Sequence, residues 1–268
     1  MIAMIRYKVA GFYLDFDKYL EKNLAWTKFI HNNLRTKADL EIMYSKTNEV
    51  YHGIEKIDLD ETNKYIVLYG GNTIALKHDW SKGIFLNFSD QFKAEALIQE
   101  LFYTHAVQRH MIQFHSSLID YQGHGLMFLG PSGIGKTTQA ELWNQYRDAL
   151  IINGDIVFVQ ETEEAFLGWG TPWHGSSPYC ENTNVPVDAL IILKQAPENS
   201  IRKLEGFEKV TAVSNSVFYP RWLENGMELC LETLDHLLSK LPVYELSCRP
   251  DEEAVALTEQ TIFGGERF

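Results

Sequence analysis

The sequence predicts an α/β protein, and three observations carry that reading. First, an apolar strand-like run, GLMFL at 125–129, feeds straight into GPSGIGKT at 130–137 and then into the helix-forming stretch KTTQAELWNQYRDA. Second, after residue 90, segments with helical spacing alternate with short β-type runs, the pattern of a sheet layered with helices. Third, β-type runs dominate before residue 90. The chain therefore reads as a small β-rich α+β region at 1–90, followed by a larger α/β region with a mixed β-sheet core at 91–268.

Each element has its own signal. YKVAGFYLDF (7–16) partly alternates and reads as a strand. LAWTKFIHNNLRT (24–36) reads as a helix. KYIVLYGGNTIALKHDW (64–80) reads as two strands about a Gly70-Gly71 turn, and GIFLNF (83–88) as another strand. Ser89-Asp90 is an N-cap signal before apolar residues at 92, 96, 97, 101, 102, 106, 107 and 111, which predict a helix over 91–112. Strands are expected at 114–120 and 125–129 about a turn at Gln122 to Gly125. ALIINGDIVFV (149–159) is a β-type run interrupted at Asn153-Gly154. LGWGTPWHGSSPY (167–179) reads as a loop, DALIILKQ (188–195) as a buried strand, VYELSC (243–248) as a strand and DEEAVALTEQTIF (251–263) as a final helix.

Composition narrows the function. The chain has 268 residues, 45% of them hydrophobic, which is enough for a large core. The formal net charge of −12, with no Lys/Arg cluster, argues against a nucleic-acid partner. Cys180, Cys230 and Cys248 include no C-x-x-C pair, which argues for a reduced compartment and against a structural zinc site. No apolar run approaches the length that spans a bilayer, and the N-terminus lacks the layout of a signal peptide. No membrane partner and a cytoplasmic location are expected.

Gly130, Gly135, Lys136 and Thr137 fill the pattern G-x-x-x-x-G-K-[ST] with a strand before and a helix after it. Glycines at 130, 133 and 135 allow the backbone angles that turn successive N–H groups inward. The helix start adds partial positive charge. Gly130, Ser132, Gly133, Ile134, Gly135, Lys136, Thr137 and Thr138 are thus the expected nucleotide-binding residues. Lys136 can reach the β- and γ-phosphates, and the Thr137 hydroxyl can ligate Mg2+. No N/T-K-x-D motif of a GTPase and no LSGGQ-like motif is present. The first acidic residue at a strand end is Asp155, 19 positions after Lys136. One helix of about 10 residues, spanning roughly 15 Å, fits in that gap and returns Asp155 to the phosphates as a second metal-associated group.

This spacing resembles the HPr kinase/phosphorylase and phosphoenolpyruvate carboxykinase fold. The matching parts are FHSSLID, QGHGLMFLG, GPSGIGKTT and ALIINGD, with a looser match through WGTPWHGSSPYCENTNVPVDALIIL. The first 90 residues do not resemble the N-terminal domain of true HPr kinases. The resemblance implies a phosphoenolpyruvate carboxykinase-like P-loop core, ATP or another nucleoside triphosphate as cofactor with Mg2+, and a homo-oligomer. It places Lys136 and Thr137 at the phosphate and metal positions and Asp155 at the second of two adjacent aspartates. The first aspartate, which would activate the acceptor hydroxyl, is Gly154 here. His115, which matches a histidine near the phosphates, is the leading substitute base, with His174 the second candidate. Trp169, Thr171 and Trp173 either line a pocket or anchor their loop. Arg202 and Arg249 are candidate phosphate clamps.

The expected activity is an ATP- and Mg2+-dependent kinase that passes the γ-phosphoryl group to a hydroxyl on a peptide, a protein or a small molecule. The rivals are a nucleotide-binding accessory protein without transferase activity, a phosphoenolpyruvate carboxykinase-like decarboxylation, and phosphorolysis with inorganic phosphate. Residues 1–90 are expected either to recognise the acceptor or to cover a sheet edge.

Overall fold

The computed structural model describes residues 4–18, 24–33, 35–44, 65–69, 72–87 and 91–264. It is a mixed α/β structure with two large mixed sheets. By internal packing the chain falls into two compact units, Met1–Ala106 with Pro220–Glu224, and Val107–Tyr219 with Asn225–Phe268. This division lies later in the chain than the boundary read at residue 90, and it leaves most of the first long helix with the first unit. Among the described residues, no helix is long and apolar enough to cross a membrane.

The first unit holds β1 (Met4–Val9), β2 (Phe12–Asp17), a 3-10 helix (Leu24–Phe29), β3 (Leu40–Tyr44), β4 (Tyr65–Tyr69), β5 (Asn72–Leu76), β6 (Lys82–Asn87) and most of α1 (Gln91–Val107). The sheet order is β1-β2-β3-β6-β5-β4. The run at 7–16 is part of a hairpin rather than one strand. Ala10 (φ 46°) and Gly11 (φ 83°) both sit in the left-handed region, the two-residue turn that matches strand twist, and Val9 faces Phe12 across it.

The helix read at 24–36 shrinks to the 3-10 turn Leu24–Phe29. The cause is competition for its backbone. The His31 amide donates to the Arg6 carbonyl, and the Arg6 guanidinium takes the carbonyls of Asn33 (3.0 Å) and Thr36 (2.6 Å). Trp26 is buried edge-on against Tyr7 and Phe16 and pins the turn to the sheet. The Gly70-Gly71 turn and the Ser89-Asp90 cap lie outside the described residues. Helix α1 stops at Val107 instead of 112, because residues from Met111 onward are taken into the next strand.

The second unit holds β7 (Met111–Tyr121), β8 (His124–Leu129), α2 (Lys136–Arg147), β9 (Leu150–Asn153), β10 (Ile156–Glu161), β11 (Phe166–Trp169), β12 (Asn184–Gln195), β13 (Ser200–Leu204), α3 (Gly206–Ser214), β14 (Val217–Phe218), α4 (Gly226–Lys240), β15 (Val243–Cys248) and α5 (Glu252–Phe263). The sheet runs β11-β10-β7-β8-β12-β15-β13, and β11 also pairs with β12. The pairings therefore close a ring through β7, β8, β12, β11 and β10. The start of the loop read at 167–179 is in fact strand β11, recruited by this double pairing. β8, β12 and β15 are parallel neighbours, so their C-terminal ends lie side by side.

Strand β7 changes partners in mid-course. Its first half, to His115, pairs with β10 and β14, and its second half, from Ser116, pairs with β8 and β9. β9 and β10 part at Gly154-Asp155, opposite that change. On one sheet face, Ile191, Leu193 and Leu246 pack with Ala140 and Trp143 of α2 and Ala254 and Val255 of α5 in a single apolar core. Roughly 25 cal/mol per Å² of apolar surface removed from water holds these helices against the sheet.

Candidate functional site

The loop between β8 and α2 has the backbone that its glycines predict. Gly130, Gly133 and Gly135 have φ of 142°, 78° and 115°, and Gly135 caps α2 in the left-handed region. Only glycine adopts such angles without strain. At Gly130 a Cβ would also stand 3.1 Å from Ile134 Cγ2, so that position is tight as well. Helix α2 then begins at Lys136, which points the amides of its first turn into the loop.

Lys136 is 6% exposed, and its Nζ donates to the Gly130 carbonyl (3.1 Å) and the Pro131 carbonyl (3.3 Å). Burial pushes its pKa down, and the nearby negative charge of Asp155 pulls it partly back up. The helix start is tied to the sheet from below, where Ser117 Oγ donates to the Lys136 carbonyl (2.9 Å). Next along the helix, Thr137 Oγ1 donates to the Gly154 carbonyl (3.3 Å). This bond places the threonine hydroxyl one residue from Asp155.

Asp155 sits in the break between β9 and β10, and Asn153 builds that break. Fully buried, Asn153 accepts through Oδ1 from the amides of Asp155 (2.9 Å) and Ile156 (3.0 Å). Through Nδ2 it donates to the carbonyls of Thr171 (3.0 Å) and Trp173 (3.1 Å). One side chain thus turns the strand at Asp155 and anchors the following loop across it. Asp155 Oδ1 meets His115 Nε2 at 3.0 Å, and both side chains are 27% exposed. His115 is positioned by the partner change in β7, since its own amide donates to the Ser216 carbonyl (2.8 Å) and the next amide, of Ser116, to the Asp155 carbonyl (2.9 Å).

The loop after β11 crosses this pair. Gly175, at φ 56°, lies so close that a Cβ would stand 2.0 Å from Asp155 Oδ2. His174, partly buried, turns Nδ1 to the Ser177 carbonyl. At Gly154, a Cβ would stand 1.8 Å from Ser177 Oγ and 2.5 Å from Ser177 Cβ. Ser177 is 7% exposed and its Oγ accepts from the Tyr179 amide (3.3 Å). The space that a side chain at 154 would need is therefore filled by Ser177.

The other candidates fall elsewhere. Thr171 and Trp173 are 0% and 5% exposed, and Thr171 Oγ1 reaches the Ile156 carbonyl (3.0 Å), so both anchor the loop. Trp169 donates to Gln160 (3.2 Å). Arg202 is committed to Glu208 and Glu245, and Arg249 to Asp251 and Glu253, so neither is an open phosphate clamp. Sequence reasoning missed Asn153, Gly175 and Ser177. Asn before Gly-Asp is a turn signal that could have marked the first. The other two act only through tertiary approach.

Two pockets flank the glycine loop. One, of about 340 Å³, lies beside Gly133, Gly135, Thr138, Gln139 and the Cys248–Pro250 turn. The other, of about 790 Å³, begins at Gly130 and Pro131 on the opposite side. As for the chemistry available, the site joins inward-facing helix-start amides, a desolvated ammonium, a hydroxyl and a carboxylate–imidazole pair. Thr137 Oγ1 and the Asp155 oxygens are hard donors that fit Mg2+ completed by phosphate and water oxygens. Among the described residues, no group of three or more His, Cys, Asp or Glu side chains is placed to hold a metal unaided.

No curated protein matches the chain. Among solved structures, the chain is similar to the Hpr(Ser) kinase/phosphatase from Coxiella burnetii, with 10% identity, 58% of this chain and 99% of that chain covered, and a TM-score of 0.35. A family profile matches residues 92–249, more than half of the chain and the whole of the region just described. The chain belongs to the family described as SynChlorMet cassette protein ScmC.

Proposed function

We propose that this chain is an ATP- and Mg2+-dependent kinase of the HPr-kinase-like type, built on a phosphoenolpyruvate carboxykinase-like P-loop core, which passes the γ-phosphoryl group to a hydroxyl acceptor. The observation that carries the reading is Lys136. The residue is 6% exposed, its ammonium lies across the loop's own carbonyls, and among the described residues Asp155, farther off, is the counter-charge it feels. Burying a cation without a contacting anion is costly, and phosphate oxygens would offset that cost. Such a site is an anion receptor at the mouth of a glycine-lined loop.

In this reading, amides of the loop and first helical turn, among them those of Gly133, Gly135, Lys136, Thr137 and Thr138, hold the phosphates and Lys136 neutralises the oxygens between β and γ. Thr137 and Asp155 hold Mg2+, which supplies further charge neutralisation on the phosphates. The acceptor oxygen attacks the γ-phosphorus in line, the bond to the β-bridging oxygen breaks, and ADP leaves. His115, its Nε2–H held by Asp155 Oδ1, takes the acceptor proton on Nδ1. His174 has Nδ1 occupied by Ser177 and is the second candidate through Nε2. The smaller pocket beside Thr138 is assigned to the nucleoside, and the first unit is a candidate for acceptor recognition.

A second reading rests on Gly154. With the expected first carboxylate absent and its space filled by Ser177, the chain would bind nucleotide without transferring phosphate. Measuring ATP consumption with and without hydroxyl acceptors separates the two. For the kinase, Lys136→Ala is expected to lower turnover about 10²-fold or more, as for loss of one preorganised electrostatic donor. Near-normal turnover in that variant refutes the role of Lys136, and tight ATP binding with no turnover under any acceptor favours the binder.

A further inference from the structure

In the proposed reading the nucleoside takes the smaller pocket, which leaves the larger one without an occupant. It lies on the sheet face opposite α2, between α3 and the β12–β15–β13 end of the second unit. On β12, Ile191 and Leu193 belong to the core under α2 and α5, and Ile192, between them, faces this pocket, which Leu193 and Ile134 also border near the glycine loop. Leu204 closes the floor, and Phe207 and Ala212 of α3 form the outer wall.

Its position relative to the glycine loop is specific. A lysine at the position of Lys136 serves the β- and γ-phosphates, and the Lys136 ammonium rests on the carbonyls of Gly130 and Pro131. Those two residues are also lining residues of the larger pocket. At its other end the pocket reaches Ser216, whose carbonyl accepts from the His115 amide. The smaller pocket lies toward the helix end of the loop, at Gly133, Gly135 and Thr138, and shares Ile134, Leu193 and Lys194 with the larger one. The larger one is therefore continuous with the γ-phosphate end and the proposed base, the side from which an acceptor must approach.

Its chemistry selects among acceptors. The charges at its rim neutralise one another, since Arg202 bridges Glu208 and Glu245, and Lys194 also pairs with Glu245. What remains is an apolar wall with neutral polar groups of Thr211, Asn215 and Ser216 along one side, and beside it Phe207 and Val210 are 85% and 44% exposed on α3. About 790 Å³ is far more room than a small polar metabolite fills.

We propose that this pocket is an acceptor subsite that takes an aliphatic or aromatic side chain adjacent to the reacting Ser or Thr of a peptide. The assignment rests on the kinase reading, because the γ-phosphate end is defined by it. It makes the acceptor a peptide segment and gives the enzyme a side-chain preference beside the hydroxyl.

The test uses the full chain with Mg2+ and ATP, and short peptides that carry one serine flanked by alanine, leucine or phenylalanine. The leucine and phenylalanine peptides are expected to exceed the alanine peptide in kcat/KM by about tenfold or more, the discrimination typical of an apolar pocket, and to do so through KM. Ala212→Trp, which fills the pocket, should abolish the preference, and Phe207→Ala should weaken it. Peptide binding, followed by fluorescence anisotropy with a non-hydrolysable ATP analogue, separates the two levels. Transfer to all peptides alike, or a preference that survives Ala212→Trp, overturns the pocket and leaves the kinase standing. Phenylalanine-peptide binding that Ala212→Trp removes, with no transfer to any peptide, upholds the pocket as a peptide site and sinks the kinase. Absence of peptide binding overturns the pocket, as does self-association that Phe207→Ala dissolves.

Discussion

Restoring a carboxylate at residue 154 is the change that the family resemblance suggests, and the structure predicts that Gly154→Asp alone fails. An ideal Cβ there stands 1.8 Å from Ser177 Oγ and 2.5 Å from Ser177 Cβ, where ordinary contacts begin near 3.4 Å. Ser177 would have to retreat by more than 1 Å by that arithmetic, and it is 7% exposed with no open space to enter. Forcing extra atoms into a packed site costs about 1–3 kcal/mol. Displacing Ser177 also loses its bond to the Tyr179 amide, about 1 kcal/mol more. The sum, about 2–4 kcal/mol, lowers Tm by about 4–16 °C, at roughly 2–4 °C per kcal/mol for a unit of this size. Scanning calorimetry reads it directly. Ser177→Gly in the same chain removes both clashing atoms and should recover most of the loss. Ser177→Ala removes only Oγ, leaves Cβ at 2.5 Å and should recover part. If Gly154→Asp melts with the wild type, or if Ser177→Gly brings no relief, Ser177 is not what excludes a side chain at 154.

Two further changes probe the same region, and a third the attachment of α5. Gly175→Ala should reduce phosphoryl transfer at least tenfold and cost about 1–2 kcal/mol, because alanine at φ 56° is strained and its Cβ would stand 2.0 Å from Asp155 Oδ2. Unchanged transfer would show that the Asp155 position does not matter. Asn153→Ala removes four buried hydrogen bonds and should destabilise by about 2–4 kcal/mol in urea unfolding. A loss under about 0.5 kcal/mol, the level of an ordinary surface change, would refute its role as the keystone of the break. Glu259 joins α5 to Tyr121 (2.7 Å) and Arg147 (2.6 Å). Burial pushes its pKa up, but the bonds from Tyr121 and Arg147 and the Arg147 charge outweigh that and hold it below the ordinary value. A lowered carboxyl pKa gives stability that is complete above the unfolded value and is lost as pH falls through the folded one. Glu259→Gln should therefore cost about 1 kcal/mol near neutral pH, with the gap from wild type closing on acidification. A gap that widens in acid would reverse the sign.

What was legible in the sequence divides by the range of the interactions. The loop at 130–137 was readable because its constraint is local. Left-handed φ at Gly130, Gly133 and Gly135 follows from residue type, and the helix start follows from the same few positions. The interruption at Asn153-Gly154 was equally local, since one buried asparagine turns its own strand. The first unit was less legible, because there the decisive partner is remote. Arg6 takes the carbonyls of Asn33 and Thr36, and no periodicity within 24–36 records that competitor. Strand β11 is a similar case, a Gly- and Trp-bearing segment made into a strand by having two neighbours to pair with.

The same distinction applies to catalysis. Gly154 read alone is a missing base, a statement about what the chain lacks. Gly154 read with Ser177 is a packing decision, since the two positions occupy one space and only one of them can carry a side chain. The loop that brings Ser177 to Gly154 also brings Gly175 onto Asp155 and ties Nδ1 of His174 to the Ser177 carbonyl. The proposed reaction leaves proton acceptance to His115, on a strand whose change of partner sets it 3.0 Å from Asp155. In that proposal, a base on the strand in place of one on the turn calls for an acceptor that enters from the β7 side, past Ser216. That is the side on which the apolar pocket opens.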